Sequence, residues 1–209
     1  MSNLRISELD FDQIKSNLKT TKVDKTVIII STYPSNQNII DLTHKSMVEI
    51  KNQGYDVTGF SRQTGHDLND SSIIKNLVTE IANNYDMFIN NAYCNNAQLL
   101  LMKGLHLFWK DDPSKIHVVI GSRAADIPTP NAQYSQNKKN IDSASIDLQK
   151  TAAYKLLIVK PGRVNTPTLH KLMKTPKPMI EVENLVSVVD QVLFNDKLNV
   201  VSITIEPKN

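Results

Sequence analysis

The sequence is poor in cysteine and in long hydrophobic runs. Cys94 is the only cysteine among 209 residues, so the chain cannot form an internal disulfide or a thiolate metal site. No apolar run approaches the roughly 20 residues that a membrane-spanning helix needs. Residues 1–19 also lack the apolar stretch of a secretory signal. We therefore expect a cytoplasmic protein without a membrane segment.

Charge of one sign and glycine are also scarce. The formal net charge is +3, whereas nucleic-acid binding needs a clustered excess of Lys and Arg, so we expect no nucleic-acid partner. The five histidines show no metal-ligand spacing, and we expect no metal site. Only 6 of the 209 residues are glycine, less than half the usual share of about 7%.

The sequence does contain an alternation of short apolar runs and amphipathic segments. Val27–Ile30 is fully apolar and β-branched, as in a central parallel strand that is buried on both faces. Strands are predicted over 27–30, 55–60, 87–89, 116–120, 155–159 and 200–205, and helices over 37–52, 72–84, 98–110, 132–152 and 182–193. This alternation predicts an α/β fold, namely a Rossmann-like, doubly wound parallel sheet in three layers.

Residues 25–209 are predicted to form this one domain. Residues 1–24 form an N-terminal extension, for which two interpretations stay open. Ser7 could cap a docking helix over residues 8–19, or the segment could be a fraying arm.

Three polar residues follow the predicted strand 116–120 in a chemically suggestive order. Ligands of open α/β sheets bind at the carboxyl ends of the strands, where Ser122 stands. Tyr134 and Lys138 are four residues apart and share a helix face. A phenol has a pKa of about 10, which a nearby cation lowers. Such a set could move a proton to or from a carbonyl or alcohol oxygen, although a solvated helix face has the same spacing.

The order of several segments resembles the short-chain dehydrogenase/reductase family over about residues 25–206. Asn90-Asn91-Ala92-Tyr93 is similar to the family's Asn-Asn-Ala-Gly stretch, and Asp67-Leu68 to its adenine-side pair. Ser122, Tyr134 and Lys138 match the catalytic serine, tyrosine and lysine. Pro161, Gly162 and Thr166 match the Pro-Gly-x-x-x-Thr segment.

The resemblance implies an NAD(P)-dependent oxidoreductase that interconverts a small carbonyl compound and its alcohol. Tyr134 would be the general acid/base, Ser122 would orient the substrate oxygen, and Lys138 would hold the nicotinamide ribose and lower the phenol pKa. The expected cofactor-binding residues are Ser31, Thr32, Ser35, Asn36, Arg62, Asp67, Leu68, Asn91, Ala92, Tyr134, Lys138, Pro161, Gly162 and Thr166. The resemblance also implies a homodimer or homotetramer through helices near 98–110 and 135–152.

The chain departs from the family at the loop that binds the diphosphate. Thr32, Asn36 and Asn38 stand where glycines allow positive φ and a close approach of the backbone. One alternative is a rebuilt loop, in which Ser31, Ser35 and Asn36 donate hydrogen bonds to phosphate. The other is weak or absent cofactor binding, which would make the protein a weak or inactive binding or scaffolding relative.

Four further expectations concern particular residues or short segments. Arg62 predicts NADP rather than NAD, because an Arg there accommodates the 2′-phosphate; the alternative is a solvated surface Arg. Tyr93, in place of the family's glycine, could stack near the adenine or ribose or could narrow the site. The family's fourth catalytic residue, an Asn, stays unplaced among Asn95, Asn96 and the position of Leu101. The loop over 168–180 lies where the family has its substrate lid.

Overall fold

The structure is a computed structural model that describes residues 25–30, 56–127, 129–165, 177–193, 195 and 199–208. Side chains are described in these ranges except at residues 25–30, 63 and 190. The predicted helices over 8–19 and 37–52, the altered glycine turn and most of the loop over 168–180 lie outside the described residues.

Six strands of the described chain form one parallel sheet. They are β1 (Lys25–Ile30), β2 (Asp56–Phe60), β3 (Met87–Asn91), β4 (Ile116–Ile120), β5 (Lys155–Pro161) and β6 (Ser202–Ile205). Each predicted strand is present, and its ends differ from the prediction by at most two residues. Apolar runs of this length therefore mark the parallel strands of this chain, of which β4 is the most completely buried among those whose side chains are described.

The strand order is β2-β1-β3-β4-β5-β6. The chain leaves β1 toward β2 on one side and then places β3 on the other side of β1. Val27 accordingly lies opposite Thr58 on β2 and Phe88 on β3. The order reverses between β1 and β3, and this switch point is where open α/β sheets bind ligands.

Four long helices lie within the described ranges. They are α1 (Ser71–Asn84), α2 (Ala97–Trp109), α3 (Ala132–Gln149) and α4 (Val182–Leu193). Helix α3 ends before the predicted residue 152. The Ala153 N–H donates to the Lys110 carbonyl at 2.6 Å, which docks this turn against the end of α2 and allows β5 to begin. None of the described helices has the length and apolarity to cross a bilayer.

The sheet is covered on both faces, because neighbouring residues of a strand point to opposite sides. Phe88 and Val119 pack with residues of α1, α2 and α3, such as Leu101. Val118, one residue away, packs with Leu193 of α4 on the other face. This arrangement confirms the predicted doubly wound α/β sheet in three layers.

One polar side chain, His117, lies inside the first of these cores. Its ring is 0% exposed and its centroid lies 4.9 Å from that of Phe88. Neither ring nitrogen has a hydrogen-bond partner among the described residues. Burial lowers the pKa of His117 to about 3, so the ring is neutral at pH 7.

Candidate active site

Ser122 stands at the carboxyl end of β4, where the sheet opens. The Gly121 N–H donates to the Val159 carbonyl at 2.7 Å and so keeps the chain in the sheet up to this residue. The Ser122 hydroxyl accepts a hydrogen bond from the Ala124 N–H at 3.1 Å. This bond caps the short 3-10 turn Arg123–Ala125 and orients the serine side chain.

Tyr134 lies in the first turn of α3, which Asn131 begins. The Asn131 Oδ1 accepts a hydrogen bond from the Tyr134 N–H at 2.9 Å, which is an ordinary N-terminal cap. Burial raises the pKa of the Tyr134 phenol, and a hydrogen bond between its side chain and that of Ser122 opposes this rise. The two side chains that the sequence predicts as catalytic partners therefore interact directly.

Lys138 lies one helical turn after Tyr134 and is only 4% exposed. Its ammonium donates to the Gln98 Oε1 at 2.8 Å and to the Ile120 carbonyl at 2.9 Å. The Nζ atom lies 5.7 Å from the centroid of the Tyr134 ring. Burial lowers the pKa of Lys138 to about 8, and the negative charge of Asp142 counteracts part of this effect. At pH 7 the side chain is still mainly an ammonium.

One expected electrostatic effect differs in the structure. The resemblance implies that Lys138 lowers the phenol pKa of Tyr134, yet this pKa is raised. Loss of solvent around the phenol outweighs the Ser122 hydrogen bond, so the net shift is upward even with the Lys138 ammonium 5.7 Å from the ring centroid. The phenol is consequently protonated at neutral pH.

Gln98 is the site residue that the sequence reasoning missed. Its Nε2 donates to the Asn90 carbonyl and to the Ile120 carbonyl, both at 2.8 Å. It occupies the inner face of α2, in line with Leu101 and Leu105. An amide within an otherwise apolar helix stripe was the signal that could have found it, because a buried amide needs partners.

The three positions considered for the family's fourth catalytic residue have different surroundings. Asn95 has a positive φ of 45°, and its side chain reaches Asn69 at 3.4 Å. Asn96 makes no side-chain cap bond at the start of α2, and Leu101 is an apolar core residue. Among the described contacts of the Lys138 ammonium, the α2 side chain is that of Gln98.

The segment after β3 places a second tyrosine, Tyr93, beside Tyr134. The ring centroids of Tyr93 and Tyr134 lie 4.9 Å apart in an edge-to-face arrangement. Tyr93 thus contacts the ring of Tyr134, the predicted general acid/base. Asn91 ends β3 as an exposed residue, and Ala92 is fully buried.

The predicted adenine-side residues lie after β2. The Arg62 Nε and an Asp67 carboxylate oxygen are 3.3 Å apart, and Leu68 beside them is buried. A hydrogen bond from the Asn69 N–H lowers the pKa of Asp67, and the Arg62 charge contributes in the same direction. Arg62 and Asp67, predicted for different parts of the cofactor, therefore pair with each other.

Of the remaining residues expected to bind the cofactor, only some lie within the described ranges. Ser31, Thr32, Ser35, Asn36 and Thr166 lie outside the described residues. Pro161 ends β5, and the Gly162 N–H donates to the Ile205 carbonyl at 2.8 Å. A Cβ at Gly162 would meet the Glu206 carboxylate, which is the end of a flexible and partly exposed side chain.

Sequence comparison finds no matching protein-family model and no curated relative, whereas structure comparison finds many matches. An alcohol dehydrogenase from the archaeon Thermococcus sibiricus, complexed with 5-hydroxy-NADP, matches with a TM-score of 0.65 and 14% identity, over 93% of this chain and 90% of that chain. A short-chain dehydrogenase/reductase from Vibrio parahaemolyticus matches with a TM-score of 0.61 and 17% identity, over 88% of this chain and 100% of that chain.

This chain has the fold of the short-chain dehydrogenase/reductases, which confirms the fold that the resemblance implied. A ribose-5-phosphate isomerase from Brucella melitensis 16M also matches, with a TM-score of 0.63 and 12% identity, over 89% of this chain and 92% of that chain. Because one fold supports several activities, the activity has to be argued from the site.

Proposed function

We propose that the protein is an oxidoreductase that interconverts a small carbonyl compound and its alcohol with a nicotinamide dinucleotide. The observation that carries the proposal is the convergence of Ser122, Tyr134 and Lys138 at the carboxyl edge of β4. The serine hydroxyl contacts the phenol, and the ammonium lies beside the same ring. The matched alcohol dehydrogenase was solved with a nicotinamide dinucleotide, which supports the same class of cofactor here.

The described donors fit the nicotinamide-ribose end of such a cofactor. An ammonium has three N–H donors, and the described acceptors of Lys138 are the Gln98 Oε1 and the Ile120 carbonyl. The remaining N–H would hold a ribose hydroxyl. Asn91 and Ala92, at the end of β3, border the same switch point. A bound nicotinamide supplies the hydride donor or acceptor that the side chains lack.

The chain's own residues would handle the proton. In carbonyl reduction the Ser122 hydroxyl donates a hydrogen bond to the substrate oxygen and fixes its position. The Tyr134 phenol, which its raised pKa keeps protonated, gives its proton to the same oxygen. The Lys138 ammonium stabilises the resulting phenolate, which then recovers a proton from solvent. Proton transfer by a positioned side chain is worth about 10²–10⁴-fold in rate.

The first experiment combines cofactor binding with a tyrosine variant. Purified protein is titrated with NADPH and NADH by fluorescence, and turnover is measured with small aldehydes and ketones. Tyr134→Phe removes only the phenolic oxygen, so we expect cofactor binding close to wild type and a turnover loss of about 10²-fold or more. Tyr85→Phe, in a tyrosine that packs on Phe60, is the control. Turnover of Tyr134→Phe equal to this control would contradict the mechanism.

We further propose that NADP(H) is favoured over NAD(H) because of Arg62. Arg62 lies two residues after the end of β2, and Asp67 holds its guanidinium in place. Arg62→Ala should reduce the preference for NADPH over NADH by about tenfold, the value of one lost charge-assisted hydrogen bond. The ratio of kcat/KM for the two cofactors measures this, with Arg163→Ala as the control. An unchanged ratio would leave Arg62 as a surface residue.

The alternative is a binding or scaffolding protein with little or no catalysis. The contact of Tyr93 with the Tyr134 ring favours it, because a bulky side chain stands where the family has glycine. A ligand at 100 times its Kd adds about 2.7 kcal/mol to the free energy of unfolding. Absence of any thermal shift with NADPH and NADH at such excess would support this alternative and end the oxidoreductase proposal.

We also propose that two or four copies associate through α2 and α3. Large apolar side chains are exposed on the outer faces of these helices, with Leu107 74% and Phe108 56% exposed on α2 and Ile146 59% on α3. Scattered apolar residues are common on surfaces, but several large ones on the two helices that the resemblance implies as the interface support this proposal. Phe108→Glu should convert an oligomer to a monomer in light scattering. A wild-type monomer would contradict the proposal.

A further inference from the structure

The amide of Gln98 is almost fully engaged and 2% exposed. Both of its N–H donors have carbonyl acceptors, one at Asn90 on β3 and one at Ile120 on β4. Its oxygen accepts from Lys138 on α3. One side chain of α2 thus joins two strand ends to the helix that bears the proposed general acid.

These partners determine which way the amide points. In the opposite orientation the amide oxygen would face two carbonyl oxygens, and the N–H donors would face the ammonium. All three hydrogen bonds would then be lost, and buried polar groups would be left without partners, which is unfavourable. The orientation of the amide is therefore determined by its surroundings, and the Oε1 atom is directed at the Lys138 Nζ.

A second contact holds the Gln98 backbone. The Asn90 Nδ2 donates to the Gln98 carbonyl at 3.0 Å, while Gln98 donates to the Asn90 carbonyl. This reciprocal pair ties the first turn of α2 to the end of β3. The position of the amide is therefore fixed by β3 and does not depend on Lys138.

We propose that Gln98 is a positioning residue that holds the Lys138 ammonium at a defined place and charge beside the Tyr134 ring. This inference rests on the proposed function, since it gives Gln98 its role through Lys138. A leucine would fill the same core space without partners to satisfy, so packing alone does not require an amide here. The bond to a buried ammonium, in contrast, requires an acceptor of this kind.

Several charged or titratable groups surround the ammonium and enter the design of a test. On α3 these are Tyr134 and Asp142. Asp142 is paired with Lys160 of β5 at 3.1 Å, and Lys160 is also paired with Asp126 of the loop after β4. Substitution of Gln98 leaves these pairs untouched, so a change in the titration of Lys138 reports on the amide itself.

The test uses Gln98→Leu and Gln98→Glu in the full chain, with two readouts. The first is the titration of the Lys138 ammonium by NMR of isotope-labelled lysine, with Lys138→Met to assign the signal. The second is the pH profile of kcat/KM. The matched controls are Gln136→Leu and Gln136→Glu on the exposed side of α3, where an amide can be changed without contact to the site.

We expect opposite shifts from the two variants. Leu removes an acceptor, so the pKa of Lys138 and the alkaline limb of the profile should fall by about one pH unit. A carboxylate stabilises the ammonium, so Glu should raise both. Turnover of Gln98→Leu should fall about tenfold or more, while turnover of the Gln136 variants should stay near wild type. If Gln98→Glu fails to fold, Gln98→Met takes its place and should lower the pKa of Lys138 as Gln98→Leu does.

The outcomes separate this inference from the proposed function. Unchanged Lys138 titration in every Gln98 variant that folds overturns the inference, even if the protein turns over carbonyl compounds. The same holds if Leu and Glu shift the titration in the same direction. Shifts as expected, together with no turnover and no dinucleotide binding, would support the positioning of Lys138 and overturn the oxidoreductase proposal instead.

Discussion

Lys138 and His117 are both buried titratable side chains, yet their surroundings differ. Lys138 has two hydrogen-bond acceptors in contact with its ammonium, whereas neither ring nitrogen of His117 has a partner among the described residues. Burial lowers both pKa values, to about 8 for Lys138 and to about 3 for His117. At pH 7 the lysine keeps its charge and the histidine does not.

The comparison shows what a buried charge needs in order to be useful. Transfer of an ion into a protein interior costs several kcal/mol unless hydrogen bonds replace its lost water. The strand ends and α2 supply those bonds at Lys138. Around His117 the sheet and helices supply aromatic rings instead, such as Phe88 and Trp109. The first arrangement suits catalysis, and the second is compatible only with a neutral ring that packs.

Removal of the lysine charge should have the greatest effect on activity. Lys138→Met should reduce kcat/KM by about 10²-fold or more, because the phenolate of Tyr134 loses the cation that stabilises it. Steady-state kinetics measure the loss. Lys139→Met, in the exposed neighbour, should leave kcat/KM near wild type. Equal activity of the two variants would show that the buried charge has no catalytic role.

The next largest effect is a loss of stability at acidic pH that His117 should cause. The folded-state pKa of His117 is below its ordinary value of about 6.5, so the unfolded chain binds the proton first as the pH falls. Stability contributed by the neutral ring is complete above pH 6.5 and is lost toward about 3. Between pH 7 and pH 5 this loss amounts to about 2 kcal/mol.

His117→Leu should remove this loss while it keeps an apolar core side chain. Urea denaturation at pH 7 and pH 5 measures the free energy of unfolding, and the variant should gain on the wild type as the pH falls. His66→Gln, in a histidine near the surface loop after β2, should keep the wild-type slope. A slope unchanged in His117→Leu would mean that the ring is already protonated or already solvated.

A smaller effect should follow from the neighbour that supports the lysine charge. Asp142 raises the pKa of Lys138 through its negative charge, so Asp142→Asn should move the alkaline limb of kcat/KM to lower pH by about half a unit. The pH profile measures the shift, with Asp147→Asn on the exposed side of α3 as the control. A shift to higher pH would contradict the assigned sign.

The smallest effect is expected at a solvated lysine. Lys150 and Asp147 form an exposed ion pair at 2.7 Å, and such pairs add little to stability because water screens both charges. Lys150→Met should therefore leave the denaturation midpoint and kcat/KM unchanged within error. A clear loss of stability would show that this pair differs from other surface pairs and would weaken the contrast with Lys138.

Much of the fold could be predicted from the sequence because its signals are local. The run Ile116–Ile120 becomes β4 with the predicted ends, and Val182–Leu193 becomes α4, since apolar periodicity identifies both. Helix α3 ends earlier than predicted because a bond from Ala153 to Lys110 turns the chain. That bond joins residues distant in sequence, so no local pattern contains it.

The candidate site was predictable to a similar degree. The spacing of Tyr134 and Lys138 and the position of Ser122 indicated one cluster, whose contacts the structure describes. Gln98 was missed because its role depends on Asn90, Ile120 and Lys138, which come from three other elements. The direction of the Tyr134 pKa shift was wrong for a related reason. Residue types indicate which charges are near, but only the packing determines how much solvent remains.

The succession of strands and helices and the residue types at the strand ends follow from patterns along the chain. Which of these residues meet, and which side chains keep their charge when buried, depends on how the elements pack in three dimensions. The Gln98 amide, the Ile120 carbonyl and the Lys138 ammonium are far apart in sequence, and their hydrogen bonds form only when α2, β4 and α3 pack on one another. The charge of the lysine therefore depends on the fold.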